Sequence, residues 1–139
     1  MPLVNAADFH ERIEQELARA QRYCIYLSLL VLDFSELEDK NHGKESPISL
    51  PTNLSLHLTS LLRRSDLVAM PRGDQLVLLL VETPASGLAV VSDRVRSFVS
   101  DFLEQRPVEL PIHSAVYPDT TGDFNRLLSS LQIRARAIN

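Results

Sequence analysis

Apolar residues recur at helical spacing near the start of the chain. The recurring positions lie three or four residues apart and are Phe9, Ile13, Leu17 and Ala20. This period places a single apolar stripe on an otherwise charged segment, which predicts an amphipathic helix between Asp8 and Arg22. We therefore expect residues 1–22 to contain a leading helix.

The next segment is apolar almost without interruption and predicts a strand. The run from Tyr23 to Phe34 is too short to span a bilayer and rich in residues that favour strands, so we expect a buried central strand that ends at Asp33. Cys24 is the only cysteine, and its place at the start of this strand predicts a buried structural thiol. Residues 35–52 are polar and contain glycine and proline, so they form the longest predicted irregular stretch.

Helical and extended patterns alternate in the remainder of the chain. A stripe of leucines predicts a second helix that ends near Arg64, and two apolar runs between Leu67 and Val81 flank a polar turn, which is typical of a β-hairpin. Pro84 is a suitable first residue for a third helix. A fourth strand is predicted over 108–117, followed by a last helix over 123 to about 136.

The predicted order after the leading helix is strand, helix, strand, strand, helix, strand, helix. This is an α+β fold with a ferredoxin-like or palm-type βαββαβ core and extra helices at the N- and C-terminal ends. With 139 residues and 45% hydrophobic content, the chain suits a single domain over 1–139 with one core.

The charge balance narrows the possible ligands. The chain has 14 Lys plus Arg against 18 Asp plus Glu, a net charge of −4, which argues against general DNA or RNA binding because the phosphate backbone attracts basic surfaces. A small anion held by a few arginines remains compatible with this composition. No apolar run reaches the roughly 18 residues that a membrane span needs, so we expect no direct membrane insertion and a cytoplasmic location. Scattered histidines and a lone cysteine predict no resident cofactor.

The predicted hairpin carries the most informative motif. Its turn reads Arg72, Gly73, Asp74, Gln75, Leu76, and the pattern Arg63-x-x-Asp66 ends five residues before that turn. This arrangement resembles the signature hairpin of GGDEF domains, the bacterial diguanylate cyclases, with their inhibitory-site motif at the same spacing. The resemblance covers nearly the whole chain and implies the GGDEF-like fold. It also implies that the leading helix is similar to the one that joins such domains to sensory partners, whereas a helix that packs on the sheet is the plainer alternative.

The resemblance also implies a catalytic centre, but several of its residues differ here. Diguanylate cyclases hold two divalent cations with carboxylates, and Asp33 and Asp74 match two of these positions. Gln75 replaces a glutamate, Ser35 replaces an aspartate and Arg72 replaces a glycine that lets the nucleotide approach. We therefore expect no catalytic residues and no metal site, with Asp33 and Asp74 as vestigial candidates or ordinary strand-end and turn carboxylates.

The product site matches better than the catalytic centre. In the family, cyclic di-GMP binds through the Arg-x-x-Asp motif, whose arginine grips phosphate and guanine and whose aspartate accepts from the base. Here the resemblance assigns these roles to Arg63 and Asp66, and Arg94 lies eighteen residues after Leu76, where many members carry a further arginine. The alternative for Arg63 and Asp66 is an arginine at a helix end that pairs with a nearby aspartate. The alternative for Arg94 is a place on a solvated helix face.

Three hypotheses follow. The first is an inactive GGDEF domain that acts as a receptor for cyclic di-GMP and signals to a protein partner or within a homodimer. The second is a GGDEF-derived scaffold that binds no nucleotide and acts by protein contacts. The third, ranked last, is a divergent diguanylate cyclase or a GTP-binding protein. Titration with cyclic di-GMP separates the first two hypotheses, and incubation with GTP and Mg²⁺ tests the third.

Overall fold

The computed structural model describes residues 3–4, 6–34, 49–71, 75–102, 110–119 and 121–131. Its regular elements, in chain order, are β1 (Leu3–Val4), α1 (Ala6–Tyr23), β2 (Leu27–Asp33), α2 (Ser49–Leu58), a 3₁₀ turn (Thr59–Leu61), β3 (Leu67–Ala69), β4 (Gln75–Val81), α3 (Ala85–Phe102), β5 (Ile112–Tyr117) and α4 (Asp123–Ser130). The predicted α+β order is confirmed. No helix in these ranges combines the length and apolarity needed to cross a membrane.

The described strands form one sheet in the order β1-β3-β4-β2-β5. β3 and β4 pair antiparallel, with Val68 opposite Leu78, which confirms the predicted hairpin. β2 lies between β4 and β5 and is antiparallel to both. The edge strand β1 pairs parallel with β3 and was not predicted, because two residues are too few to display a hydrophobic period.

Apolar side chains form two clusters rather than the one core expected from composition. Successive residues of a strand point to opposite faces, so β2 sends Leu29 to one cluster and Leu30 to the other. The first cluster contains buried apolar residues of α1 and α4, and the second contains buried apolar residues of α2 and α3. Helices therefore cover both faces of the sheet, which explains why β2 and β4 read as uninterrupted apolar runs.

The leading helix is an integral part of this packing. Its whole apolar stripe is at most 2% exposed and belongs to the first cluster, comprising Phe9, Ile13, Leu17 and Ala20. Its N-terminal half and its C-terminal half are therefore both held on the sheet by burial of apolar surface. This geometry favours the packing-helix interpretation of the segment.

The prediction that Cys24 is a buried thiol was wrong. Helix α1 continues to Tyr23, and Cys24 follows it with a left-handed backbone (φ 55°) and an exposed side chain. Strand β2 consequently begins at Leu27, later than the start of the apolar run. An unbroken apolar sequence hides such a boundary, since the residue that leaves the helix looks like those that enter the strand.

Other predicted boundaries differ from the structure or lie outside the described residues. β5 begins at Ile112, whereas the strand was predicted from Val108, and 103–109 lie outside the described residues. The last helix is described over Asp123–Ser130, and its predicted continuation to Arg136 lies outside them. The predicted irregular stretch likewise falls almost entirely on undescribed residues, although α2 begins at Ser49, inside that stretch.

Candidate functional site

A cavity of about 340 Å³ lies where the end of β4 meets the start of α3 and the turn that precedes β3. Arg63, Asp66 and Arg94 all line it. The first two come from the segment between the 3₁₀ turn and β3, and the third from α3. The structure thus brings together the three residues that the sequence analysis assigned to cyclic di-GMP.

The Arg-x-x-Asp motif forms a turn whose first and last residues are joined by two hydrogen bonds. The backbone N–H of Asp66 donates to the carbonyl of Arg63 (3.1 Å), and the backbone N–H of Arg63 donates to Oδ2 of Asp66 (2.9 Å). Both bonds require the arginine and the aspartate to be three residues apart. The spacing of the motif therefore has a local structural basis, independent of any ligand.

The carboxylate of Asp66 is engaged inside the protein. Its Oδ1 accepts the backbone N–H of Val81 (3.1 Å) and lies 3.5 Å from Nη2 of Arg63. The side chain is only 4% exposed. The family resemblance predicts that this carboxylate faces the base of a ligand, whereas here it joins the turn to the end of β4.

One nitrogen of the Arg63 guanidinium is hydrogen-bonded within the protein. Nη2 donates to the carbonyl of Val81 and to Oγ1 of Thr83 (2.7 Å). The next anchor is Ser28 of β2, a fully buried residue whose hydroxyl donates to the carbonyl of Thr83 (2.7 Å). Because 58% of the Arg63 side chain is exposed, the guanidinium still has surface that a ligand can reach.

Arg94 shares its helix face with the apolar part of the cavity. The cavity is also lined by three other residues of this helix, Gly87, Val90 and Val91. With Arg94 they occupy positions i, i+3, i+4 and i+7, which lie on one side of a helix. Gly87 allows close packing, since a Cβ there would lie 3.0 Å from Cγ2 of Thr83. The exposed Arg94 therefore stands one to two turns beyond an apolar wall, on the same face.

Glu82 is a further acidic residue on the cavity that the sequence analysis did not single out. Its side chain is 54% exposed, and its Oε2 lies 3.0 Å from Nη2 of Arg19 on helix α1. The two side chains form an ion pair, and the hydrogen bond to Glu82 raises the pKa of Arg19 above its usual value. No local signal distinguishes Glu82 from an ordinary solvated turn residue, because its partner is 63 positions away.

The signature turn is described only in part. Arg72, Gly73 and Asp74 lie outside the described residues, whereas Gln75 and Leu76 open strand β4. Gln75 is directly opposite Asp33 in the pairing of β4 with β2. The structure therefore brings the vestigial candidate Asp33 beside the residue that replaces the family's glutamate.

The metal-ligand atoms that the described residues offer at this end of the sheet do not suit a pair of divalent cations. Asp33 supplies one carboxylate and Gln75 a neutral amide, whose buried Oε1 has no hydrogen-bond partner among the described residues. Two cations that carry triphosphates need several carboxylate oxygens, and an amide oxygen is a weaker ligand. Across the same ranges, no three acidic, histidine or cysteine side chains form a group that could hold a metal ion.

Comparison with known proteins agrees with the motif. Residues 2–137 match the family described as diguanylate cyclase, GGDEF domain. The GGDEF domain of YfiN (TpbB) from Pseudomonas aeruginosa is 25% identical, with a TM-score of 0.68 over 99% of this chain and 86% of that one. No protein of curated function matches significantly.

Two further solved structures share the fold at lower identity. The GGDEF domain of DgcB from Caulobacter crescentus, solved in complex with c-di-GMP, is 19% identical with a TM-score of 0.69 over 94% of this chain and 81% of that one. The diguanylate cyclase SiaD from Pseudomonas aeruginosa, solved with its activator SiaC, is 24% identical. Its TM-score is 0.67 over 94% of this chain and 54% of the SiaD chain. With the family match spanning nearly its whole length, the chain belongs to the GGDEF family of diguanylate cyclase domains.

Proposed function

We propose that this GGDEF domain is a catalytically inactive receptor that binds cyclic di-GMP in the cavity between the Arg63–Asp66 turn and helix α3. The observation that carries the proposal is that Arg63, Asp66 and Arg94, which match the inhibitory-site positions of the family, all line one cavity. The c-di-GMP complex of the related DgcB domain adds support from the same fold.

The lining of the cavity suits a cyclic dinucleotide. Two arginines can engage phosphate oxygens or the O6/N7 edge of guanine with their planar donor pairs. Leu61, Val90 and Val91 offer an apolar surface for the face of a base. A cavity of about 340 Å³ is near the lower end of ligand sites, about 300–1,000 Å³, so it holds one base and its phosphate while the remainder of the ligand lies outside.

In this proposal Asp66 contributes by positioning Arg63. The carboxylate fixes the turn through the backbone of Arg63 and the end of β4 through the backbone of Val81. Arg63 and Arg94 then make the contacts with the anionic ligand. Because Arg63 is anchored before binding, less of its side-chain entropy is lost when the ligand arrives.

Replacing Arg94 by alanine should weaken cyclic di-GMP binding at least tenfold. Hydrogen bonds to charged groups contribute about 1.5–3 kcal/mol, and about 1.4 kcal/mol corresponds to tenfold in Kd. Isothermal titration calorimetry measures the change. Arg96→Ala is the matched control, since Arg96 is exposed on the same helix but does not line the cavity.

Two results would contradict this assignment. The first is a wild-type protein that gives no binding heat with cyclic di-GMP. The second is an equal loss in the Arg94 and Arg96 variants, which would indicate a diffuse charge effect. Thermal unfolding of each variant shows whether it is folded under the conditions of the titration.

The proposed inactivity predicts no product from GTP. Incubation with GTP and Mg²⁺ should yield no cyclic di-GMP by chromatography, because Gln75 supplies no carboxylate opposite Asp33 and cannot accept a proton. An active cyclase in parallel reactions checks the assay. Accumulation of cyclic di-GMP that is lost in Asp33→Ala would show a working divergent cyclase instead.

A nucleotide-independent scaffold is the second candidate, and one observation favours it. The Asp66 carboxylate accepts the backbone N–H groups of Arg63 and Val81, so the Arg-x-x-Asp motif has a structural task of its own. A silent titration would leave this candidate in place. In either case we propose that the output passes through a protein partner or a second copy of the chain; the related SiaD was solved with a protein activator.

A further inference from the structure

Glu82 occupies a position on the cavity that its neighbours fix on both sides. Val81 is held by Asp66 through its N–H and by Arg63 through its carbonyl. Thr83 is held by Arg63 and by the buried hydroxyl of Ser28. Between these anchors Glu82 has a left-handed backbone (φ 50°), which is uncommon for a residue with a side chain.

The two carboxylates on the cavity differ in availability. Both oxygens of Asp66 already accept backbone N–H groups, and its side chain is 4% exposed. The Glu82 side chain is 54% exposed, and its ion pair with Arg19 engages Oε2. Of the cavity-lining acidic groups in the described ranges, Glu82 is therefore the one that can reach a ligand.

Guanine has an edge that a carboxylate recognises. Its N1–H and exocyclic N2–H₂ are adjacent donors, which the two oxygens of an ionised carboxylate can accept together. Adenine presents an acceptor at N1 beside its amino group, so the same carboxylate is repelled by a lone pair there. Arginines do not make this distinction at the phosphates.

On these grounds we propose that Glu82 is the residue that selects guanine over adenine in the bound cyclic dinucleotide, a refinement that rests on the proposed function. Arg63 and Arg94 bind the phosphates, and the Glu82 carboxylate accepts from N1–H and N2–H of one base. Arg19 donates to Oε2 of that carboxylate, and its positive charge offsets the repulsion between the carboxylate and the phosphates. Helix α1 thereby contacts a residue that changes its hydrogen bonding when the ligand binds.

The test compares cyclic di-GMP with cyclic di-AMP on the wild-type protein and on Glu82→Gln. We expect the wild type to prefer cyclic di-GMP, and the ratio of the two Kd values to shift by tenfold or more toward cyclic di-AMP in the variant. The amide retains one acceptor but turns a donor toward the guanine amino group, and amides pair well with adenine. Glu11→Gln, on the exposed side of α1, is the matched control.

The ratio is the decisive readout, because partial unfolding of a variant weakens both ligands equally. If Glu82→Gln tightens both ligands to the same extent, Glu82 only repels phosphate and the inference fails. An unchanged ratio, or a wild type without preference, overturns it as well while leaving the receptor function intact. A wild type that binds neither dinucleotide removes the proposed function and this inference together.

Discussion

Asp66→Ala should lower the free energy of unfolding by about 3 kcal/mol and abolish measurable cyclic di-GMP binding. The substitution leaves two backbone N–H groups without their acceptor, those of Arg63 and Val81, and removes the negative partner of the Arg63 guanidinium. A buried donor without a partner costs about 1–3 kcal/mol, and breaking a buried ion pair costs up to about 5. The exposure of Arg63 keeps the expected loss well below the sum of these terms.

Urea denaturation measures this change as a shift of the midpoint at constant slope. Asp66→Asn keeps one acceptor oxygen and should lose about half as much stability. Asp93→Ala, at an exposed position of α3, is the control for removing a carboxylate from the same region. If Asp66→Ala were as stable as Asp93→Ala, the carboxylate would not be the link between the turn and β4.

The second large effect concerns the leading helix. Leu17→Ala should cost about 2–5 kcal/mol, because Leu17 is 1% exposed in the cluster between α1 and the sheet and the truncation leaves a cavity there. Leu56→Ala is the same truncation on helix α2, at a leucine that is 67% exposed, and should change stability by less than about 0.5 kcal/mol. Denaturant unfolding of the two variants gives the comparison directly.

The outcome distinguishes two roles for α1. A detachable connecting helix would tolerate Leu17→Ala as well as Leu56→Ala. A large loss at Leu17 alone would mean that α1 is a layer of the domain, so that any signal it carries must strain or reorganise the packed face. The Arg19–Glu82 ion pair then joins the C-terminal part of this helix to a residue that lines the cavity.

Periodic and turn signals were sufficient for most of the architecture. The stripe of α1, the hairpin of β3 and β4 and the start of α3 after Pro84 follow from local patterns, since helix and strand periods are written in neighbouring residues. The resemblance to the family's motif likewise identified the positions Arg63, Asp66 and Arg94. The boundary between a helix and a strand could not be predicted where the sequence is uniformly apolar. Cys24 is the example, because it was predicted to be buried in a strand and is exposed.

The candidate site was predictable as a set of residues but not as a set of contacts. The spacing of Arg63 and Asp66 indicated a pair, yet the orientation of the Asp66 carboxylate toward Val81 depends on where β4 ends in space. Glu82 and Arg19 were invisible as partners because their proximity arises only when α1 packs on the sheet. Such contacts join residues far apart in the chain, and no local pattern records them.

Hydrophobic period and turn chemistry are properties of short segments, so they predicted the α+β class and the order of every described element except β1, and the resemblance of the hairpin motif predicted the family. Tertiary packing alone determines which polar groups already have hydrogen-bond partners within the protein and which face the cavity. Both oxygens of the Asp66 carboxylate accept backbone N–H groups, whereas Glu82 is exposed on the cavity that Arg63 and Arg94 also line. The physical reason is that burial and hydrogen bonding are settled only when distant segments pack together.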